Sequence, residues 1–335
     1  MKLKTLFVLL AICLFVVPAS AQIKGYLSAQ FLKSQGGGDY ANGTFAHPLL
    51  GLMLSGDFNT SFSYGAEFRI TDISQVEIDQ AWIGLSSSDS FSLKLGLYLV
   101  PFGIYNQINR PYQTILINPP LNVQYCYPER WRDLGLIVEG SISGFVYSAY
   151  LGNGLKEAEN LRAGQQFQDN NKDKGKGGRL GFRLGQGVEV AYSIYRSKYD
   201  NENSRTLTLH DADLNWTTQD WLIWAEYTKA IIHNPEGFSS GEAEGYFIQA
   251  LIFLGTFQPF ASYQKIRYTD PYHGRGFSSE SGSGEGISLE ENRWALGLRY
   301  VPVPNLYLTF EYDFNRMKDN ENKIDLWALQ VAISF

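Results

Sequence analysis

The chain ends in an alternation. Counting back from Phe335, the residues Ile333, Val331, Leu329 and Trp327 are large and apolar, while Ser334, Ala332, Gln330 and Ala328 between them are small or polar. A period of two marks a strand with one apolar and one polar face. The same period recurs upstream. Phe62, Tyr64, Ala66, Phe68 and Ile70 alternate with Ser61, Ser63, Gly65, Glu67 and Arg69; Leu306, Leu308, Phe310, Tyr312 and Phe314 alternate with Tyr307, Thr309, Glu311, Asp313 and Asn315. A chain that repeats this pattern is confined to sheet architectures, because a helix would scatter the apolar set around its whole circumference.

About sixteen such segments are predicted, near 22–32, 44–56, 60–70, 75–86, 91–99, 132–142, 145–153, 177–185, 188–198, 206–217, 221–232, 243–254, 257–268, 289–301, 306–316 and 324–335. Connections alternate in length. Tight turns rich in Gly, Asn, Asp, Ser and Pro, such as Asp57-Phe58-Asn59, Ser143-Gly144, Gln186-Gly187 and Gly255-Thr256, alternate with longer polar stretches. An even count of antiparallel strands with short turns at one end and long loops at the other is the plan of a transmembrane β-barrel, with both termini on the periplasmic side. A barrel of this width is too wide for its own side chains to fill. The polar set is therefore expected to line a water channel and the apolar set to face lipid. The segments at 206–217 and 243–254 alternate poorly, since Leu207 and Leu209 fall out of phase with Leu214 and Trp216. A bulge or a subunit contact would account for that.

The N-terminus agrees with export. Lys2 and Lys4 precede an apolar run from Leu6 to Val17, and Ala19-Ser20-Ala21 offers a small-residue cleavage site before Gln22. This predicts a signal peptide over 1–21 and a barrel over 22–335; Pro18 closes the run too early for a membrane anchor. Cys13 leaves with that segment, so Cys126 has no partner for an intrachain disulfide. Mean hydropathy is only −0.20, which suits a barrel whose lumenal residues dilute the lipid-facing ones. The 15% aromatic content suits interfacial belts. The net charge of −6 argues against a nucleic-acid partner.

One connection exceeds what a strand link needs. Val100 to Trp131 contains Pro101, Pro111, Pro119, Pro120 and Pro128, many aromatics and the run Ile115-Leu116-Ile117. A loop of this length is functional or disordered, and its apolar content argues against disorder. The sequence predicts that it folds into the barrel at 100–131 and sets the narrowest point, with Arg110, Glu129 and Arg130 as its charges. By phase, the lumenal wall carries Lys24, Lys94, Arg69, Arg179, Arg183, Arg293 and Arg299 against Glu67, Glu139, Glu189, Glu226, Glu311 and Asp313. Lys94, Arg69 and Arg183 are the wall residues expected opposite the loop's charges. Such a mixed wall imposes a transverse field, although its charges also suit pairing across adjacent strands.

Residues 76–110 carry a resemblance. Gln80-Ala81-Trp82-Ile83, then Leu93-Lys94-Leu95-Gly96, four residues, and Pro101-Phe102-Gly103 are similar to the phosphate-selective porin O and P family of Gram-negative outer membranes. The resemblance implies a porin passing small hydrophilic solutes or ions by diffusion, anions such as phosphate among them, with no cofactor. Family members commonly carry basic residues between the glycine and the Pro-Phe-Gly, where this chain has Leu97-Tyr98-Leu99-Val100, so the architecture carries over more firmly than the selectivity. The terminal stretch from Trp327 to Phe335 resembles the assembly signal read by the barrel-insertion machinery. Likeness to general porins implies a homotrimer among outer-membrane lipids and lipopolysaccharide.

Other classes are weaker. A recognition barrel, an adhesin or receptor, would show the same periodicity. A rim-sited protease would need an acid and a histidine, and of the four histidines only His210, in His210-Asp211-Ala212-Asp213, has acids close by. Asp169-Asn170-Asn171-Lys172-Asp173 lacks the glycine and terminal glutamate of a calcium loop. Lys172 to Arg179 reads as a solvated basic loop, or as a place for anionic lipopolysaccharide to dock.

Overall fold

The computed structural model describes residues 21–35, 40–72, 75–158, 161–185, 187–234, 240–270, 290–317 and 325–335. The expected signal peptide therefore lies almost wholly outside the described residues. Sixteen strands form one closed antiparallel barrel, each paired with its neighbours in sequence and β1 paired with β16. They are β1 (Gln22–Ser34), β2 (Thr44–Asp57), β3 (Phe62–Thr71), β4 (Gln75–Ser88), β5 (Phe91–Leu99), β6 (Arg132–Ile142), β7 (Phe145–Gly152) and β8 (Gly175–Leu184). The second half holds β9 (Val188–Lys198), β10 (Thr206–Thr217), β11 (Trp221–Ile232), β12 (Gly241–Ile252), β13 (Phe257–Asp270), β14 (Glu290–Tyr300), β15 (Leu306–Met317) and β16 (Leu326–Ser334). Closure leaves no open edge, the condition a sheet must meet in lipid, where an unpaired backbone group has no water to turn to.

The terminal alternation makes that closure. Gln330 opposes Gln30 and Ala332 opposes Ser28 on the inner face, while Leu329 opposes Phe31 and Val331 opposes Ala29 on the outer. Phe335 completes the seam: its N–H donates to the Gly25 carbonyl at 2.9 Å and its carbonyl accepts from the Gly25 N–H at 2.7 Å. Outside, Leu95, Ile83, Leu329 and many other large apolar side chains stand exposed around the wall. An apolar surface of that extent is stable only against hydrocarbon.

Of the two poorly alternating strands, β12 shows a register shift against β13 between Glu242 and Ala243, whereas β10 needs neither a bulge nor a subunit contact to account for Leu207 and Leu209. β10 runs in unbroken register with both neighbours. Leu207 and Leu209 point inward, are fully buried, and pack with residues of the 100–131 segment. Their phase follows from an apolar filling inside the barrel.

Candidate functional site: a loop held across the lumen

After β5 the chain turns into the barrel, forms two short helical turns, α1 (Tyr105–Ile108) and α2 (Leu121–Tyr125), and returns to β6. Its neck is closed by the Val100 N–H donating to the Trp131 carbonyl at 2.9 Å. Asn106 staples both sides, its Nδ2 donating to the carbonyls of Val100 (2.8 Å) and Trp131 (3.0 Å) while its Oδ1 accepts the Trp131 N–H (2.7 Å). Phe102 packs on Tyr127 and Trp131, and Trp131 meets Tyr195 of β9 edge-on at 4.6 Å. Val100, Phe102, Tyr105, Leu116, Leu121 and Val123 form one buried cluster with inward side chains of the wall, including Tyr150, Leu209, Trp224, Phe247, Phe260 and Ile266. Burial of that apolar area supplies the non-directional part of the loop's attachment.

Directional attachment comes from wall residues aimed at the loop backbone. Glu226 on β11 accepts the N–H groups of Ile104 (3.0 Å) and Tyr105 (3.1 Å) on one oxygen, and Asn122 Nδ2 (2.9 Å) and the Tyr127 hydroxyl (2.7 Å) on the other. Gly103 makes this approach possible. Its φ is +62°, and a Cβ there would meet a Glu226 oxygen at 2.7 Å, so the glycine of Pro101-Phe102-Gly103 serves to seat the loop on a carboxylate. On β15, Glu311 accepts the N–H groups of Ile117 (2.7 Å) and Asn118 (3.2 Å), and Asp313 accepts Asn118 Nδ2 (2.8 Å). Gln264 accepts the Leu121 N–H at 3.1 Å, and Arg299 donates to the carbonyls of Thr114 and Ile115. These side-chain bonds reach from Glu226 on β11 to Glu311 and Asp313 on β15. The loop is thus pinned across the lumen to the wall from β11 to β15, and Ile117 packs on Leu32 of β1 and Ala328 of β16 on the other side.

The side of β1 to β4 carries an arginine cluster. Arg110 grips Glu67 with two nitrogens (2.9 and 2.6 Å), and Tyr26 donates its hydroxyl to the same carboxylate at 2.8 Å. Arg130 donates to Glu67 (3.2 Å), to Asp79 and to the Asn109 carbonyl. Asp79 also meets Arg69 (2.8 Å) and Arg132 (3.2 Å), while Glu77 meets Arg69 (2.7 Å) and Arg132 (3.4 Å). Four guanidinium groups share three carboxylates, an excess of one positive charge. Burial opposes the charge on Arg130, yet Asp79 and Glu67 outweigh it and hold the guanidinium above its usual range. Above the cluster lies a cavity of about 750 Å³ lined by Arg69, Arg130, Arg132, Glu77, Glu129, Gln30, Gln330, Asn118 and others, a vestibule at the long-loop end.

The expected site residues thus divide into groups. Arg110, Arg130, Arg69 and Glu67 meet in the cluster, and Glu129 lines the vestibule. Arg293 reaches the Pro119 carbonyl at 3.2 Å and, with Arg299, holds the loop from the far wall. Lys94 and Arg183 do not face the loop's charges as expected. Lys94 pairs with Glu139 and lies 4.8 Å above the Trp82 ring, while Arg183 pairs with Glu189 at 3.0 Å and Arg179 with Asp213 at 2.6 Å. The loop arginines instead take acids from β3 and β4. Periodicity missed Asp79 because the β3–β4 register shifts between Glu67 and Phe68, so that Asp79 has no opposite partner and faces inward beside Gln80. Glu226 had the right phase but no signal of its role. His210 faces outward, bonded to the Tyr192 hydroxyl at 2.6 Å, whereas Asp211 and Asp213 face inward and are buried, so the protease triplet falls on opposite sides of the sheet.

Known proteins resemble this arrangement. An uncharacterized protein of Aquifex aeolicus (strain VF5) is 21% identical over 280 residues, 74% of this chain and 64% of that protein's length, so the chain spans less than two thirds of this relative. Among solved structures, Salmonella typhi OmpF in complex with daunomycin aligns with a TM-score of 0.66 at 15% identity, covering 94% of this chain and 97% of that one. The trimer form of in-vitro folded OmpT, an outer membrane protein of Vibrio cholerae, gives 0.66 at 10% identity, covering 94% and 99%. The family model of the Gram-negative porins matches residues 7–334. With its closed barrel of sixteen strands, the chain belongs to the Gram-negative porin family, whose members are outer-membrane β-barrels.

Proposed function

We propose that this porin passes small hydrophilic solutes by way of the vestibule bordered by β1 to β4 and β16, with a weak preference for anions such as phosphate. The observation that carries the reading is the loop's attachment. Buried carboxyl groups and arginines fix residues 104–122 to the wall from β11 to β15, while Arg110 on Glu67 and Ile117 against Leu32 and Ala328 tie the loop to β3, β1 and β16, so the vestibule is the space left to water and solute. There the guanidinium groups of Arg69, Arg130 and Arg132 border the vestibule, set against Asp72, Glu77 and Glu129. A charge in a narrow, partly desolvated passage acts on an ion far more strongly than one in bulk water. Arg69 and Arg132 are the selectivity residues, while Arg110 and Arg130, deeper and shared with Glu67, hold the loop. The resemblance to the phosphate-selective O and P family supports the anion reading. Likeness to an outer membrane protein of Vibrio cholerae solved in its trimer form supports a homotrimer.

Reconstitution in a planar bilayer tests this directly. Stepwise conductance with a reversal potential favouring anions under a salt gradient is the expected result. A silent barrel would return the protein to the adhesin or receptor class, and a cation preference would remove the arginine cluster from selectivity. We also assign Trp327 and Phe335 to the signal read by the insertion machinery, on the seam that Phe335 closes with Gly25. Deleting Phe335 should reduce heat-modifiable, membrane-inserted protein; normal insertion would remove it from that role.

A further inference from the structure

The outer surface is not uniform around the barrel. From β5 to β7 the outward positions near the long-loop end are aliphatic, with Leu97, Leu99, Leu134, Leu136 and Leu151. From β9 to β14 a row of aromatics faces outward instead: Tyr192, Tyr227, Tyr246, Tyr263 and Trp294, with Tyr227 opposite Tyr246 and Tyr263 opposite Trp294. Tyr and Trp rings of this kind sit at the level of lipid headgroups. On the loop side of the row runs a band of charge. Across β11 to β14 it is balanced, since Lys229 pairs with Glu242 (2.8 Å), Lys265 with Glu290 (3.1 Å) and Arg267 with Glu244.

At β8 and β9 the balance fails. Lys176 and Arg196 both point outward and are exposed, and they are direct register partners across the two strands. Like charges directly opposite one another on a sheet repel. Among the described residues the acid that meets the pair is Asp173, which takes Lys176 at 3.3 Å with one oxygen and the Lys198 N–H at 2.8 Å with the other. Arg196 has no ion pair among the described residues. Toward the membrane from this cation pair, Gly178 faces outward between its register partners Ala149 and Ile194, so the lipid-facing wall there is apolar and its side chains at Ala149 and Gly178 are small. Cations above such an apolar wall, at headgroup level, are complementary to an anionic lipid.

We propose that Lys176 and Arg196 clamp a phosphate of outer-leaflet lipopolysaccharide, with an acyl chain lying over Ala149 and Gly178. The assignment to that leaflet rests on the outer-membrane reading, in which the long connections lie outside. It gives Arg196 an anionic partner, adds a second one for Lys176, and names the sector of the barrel that faces lipid.

Titrating the full-length purified protein in detergent with lipopolysaccharide tests the proposal. Lys176→Glu with Arg196→Glu should weaken binding about tenfold or more, since each basic residue at a headgroup surface contributes roughly a fivefold factor. Lys33→Glu, on the outer face of β1, should leave it unchanged. Dephosphorylated lipopolysaccharide should bind the unaltered protein about as weakly as the double variant binds the intact lipid, and excess phosphatidylglycerol micelles should not displace the glycolipid. Unchanged affinity of an inserted, conducting double variant would overturn the clamp; so would equal binding of the dephosphorylated lipid or displacement by phosphatidylglycerol. Should the double reversal not insert, Arg196→Gln, which relieves the repulsion, still has to lower affinity several-fold or the proposal fails. Single-channel conductance on the same samples reports the porin reading separately, so the two can fail independently.

Discussion

The inner wall of this barrel is two surfaces made from one strand pattern. On β9 to β13 the inward side chains beneath the loop include Tyr195, Leu209, Trp224, Phe247, Phe260 and Ile266, all buried in one apolar cluster. On β1, β3 and β16 the inward positions that border the vestibule are Gln30, Arg69 and Gln330. Both sets point to the same side of the sheet. Their chemistry differs because one faces packed protein and the other faces water, which teaches that lumenal polarity in a wide barrel is decided locally by what stands opposite. The outer wall shows the converse, a continuous apolar surface that varies only where headgroups replace hydrocarbon.

Removing the loop should break the comparison most severely. Deletion of residues 108–124 should raise single-channel conductance several-fold, because the half of the lumen now filled would open to water. An inserted deletion variant that conducts as before would show that the loop does not set the passage. Cutting a single anchor tests the same point more gently. Arg130→Ala leaves Asp79 and Glu67 short of a buried partner, a loss of about 3–5 kcal/mol for a broken buried pair. The loop should then become open to added protease in the inserted barrel, and resistance equal to the parent protein would show that the apolar cluster alone holds it.

The two surfaces should also differ in stability. Leu209→Ala, under the loop, should cost about 2–5 kcal/mol as a core truncation, whereas Gln30→Ala, beside the vestibule, should change stability by about 0.5 kcal/mol or less. Urea unfolding of the reconstituted barrel measures both, and equal costs would erase the distinction. The smallest effect is expected at the vestibule rim. Arg132→Gln removes one partly screened charge and should lower the anion-to-cation permeability ratio by about twofold; an unchanged ratio would move selectivity to other residues.

Much of this could be read from the chain alone. A side-chain period of two is a local property of the backbone, so Ile333, Val331, Leu329 and Trp327 announce their strand without help, and repeated along most of the chain the pattern fixes the barrel, its alternating connections and the lipid-facing set. The long apolar loop was visible because 100–131 is too long and too hydrophobic for a surface link. Which wall residues meet it was not. Lys94 and Arg183 have the lumenal phase but stand beside Glu139 and Glu189, while Asp79 enters the cluster only through a one-residue register shift. Phase gives the side of a sheet a residue faces; it does not give its partner across a lumen. Glu226 and the Ile104 N–H it accepts are 122 residues apart, and their meeting depends on closure of the whole barrel and on the loop's path inside it. The sequence determined the wall, because strand alternation is local; the tertiary structure decided the passage, because the contacts that narrow it join segments no local pattern relates.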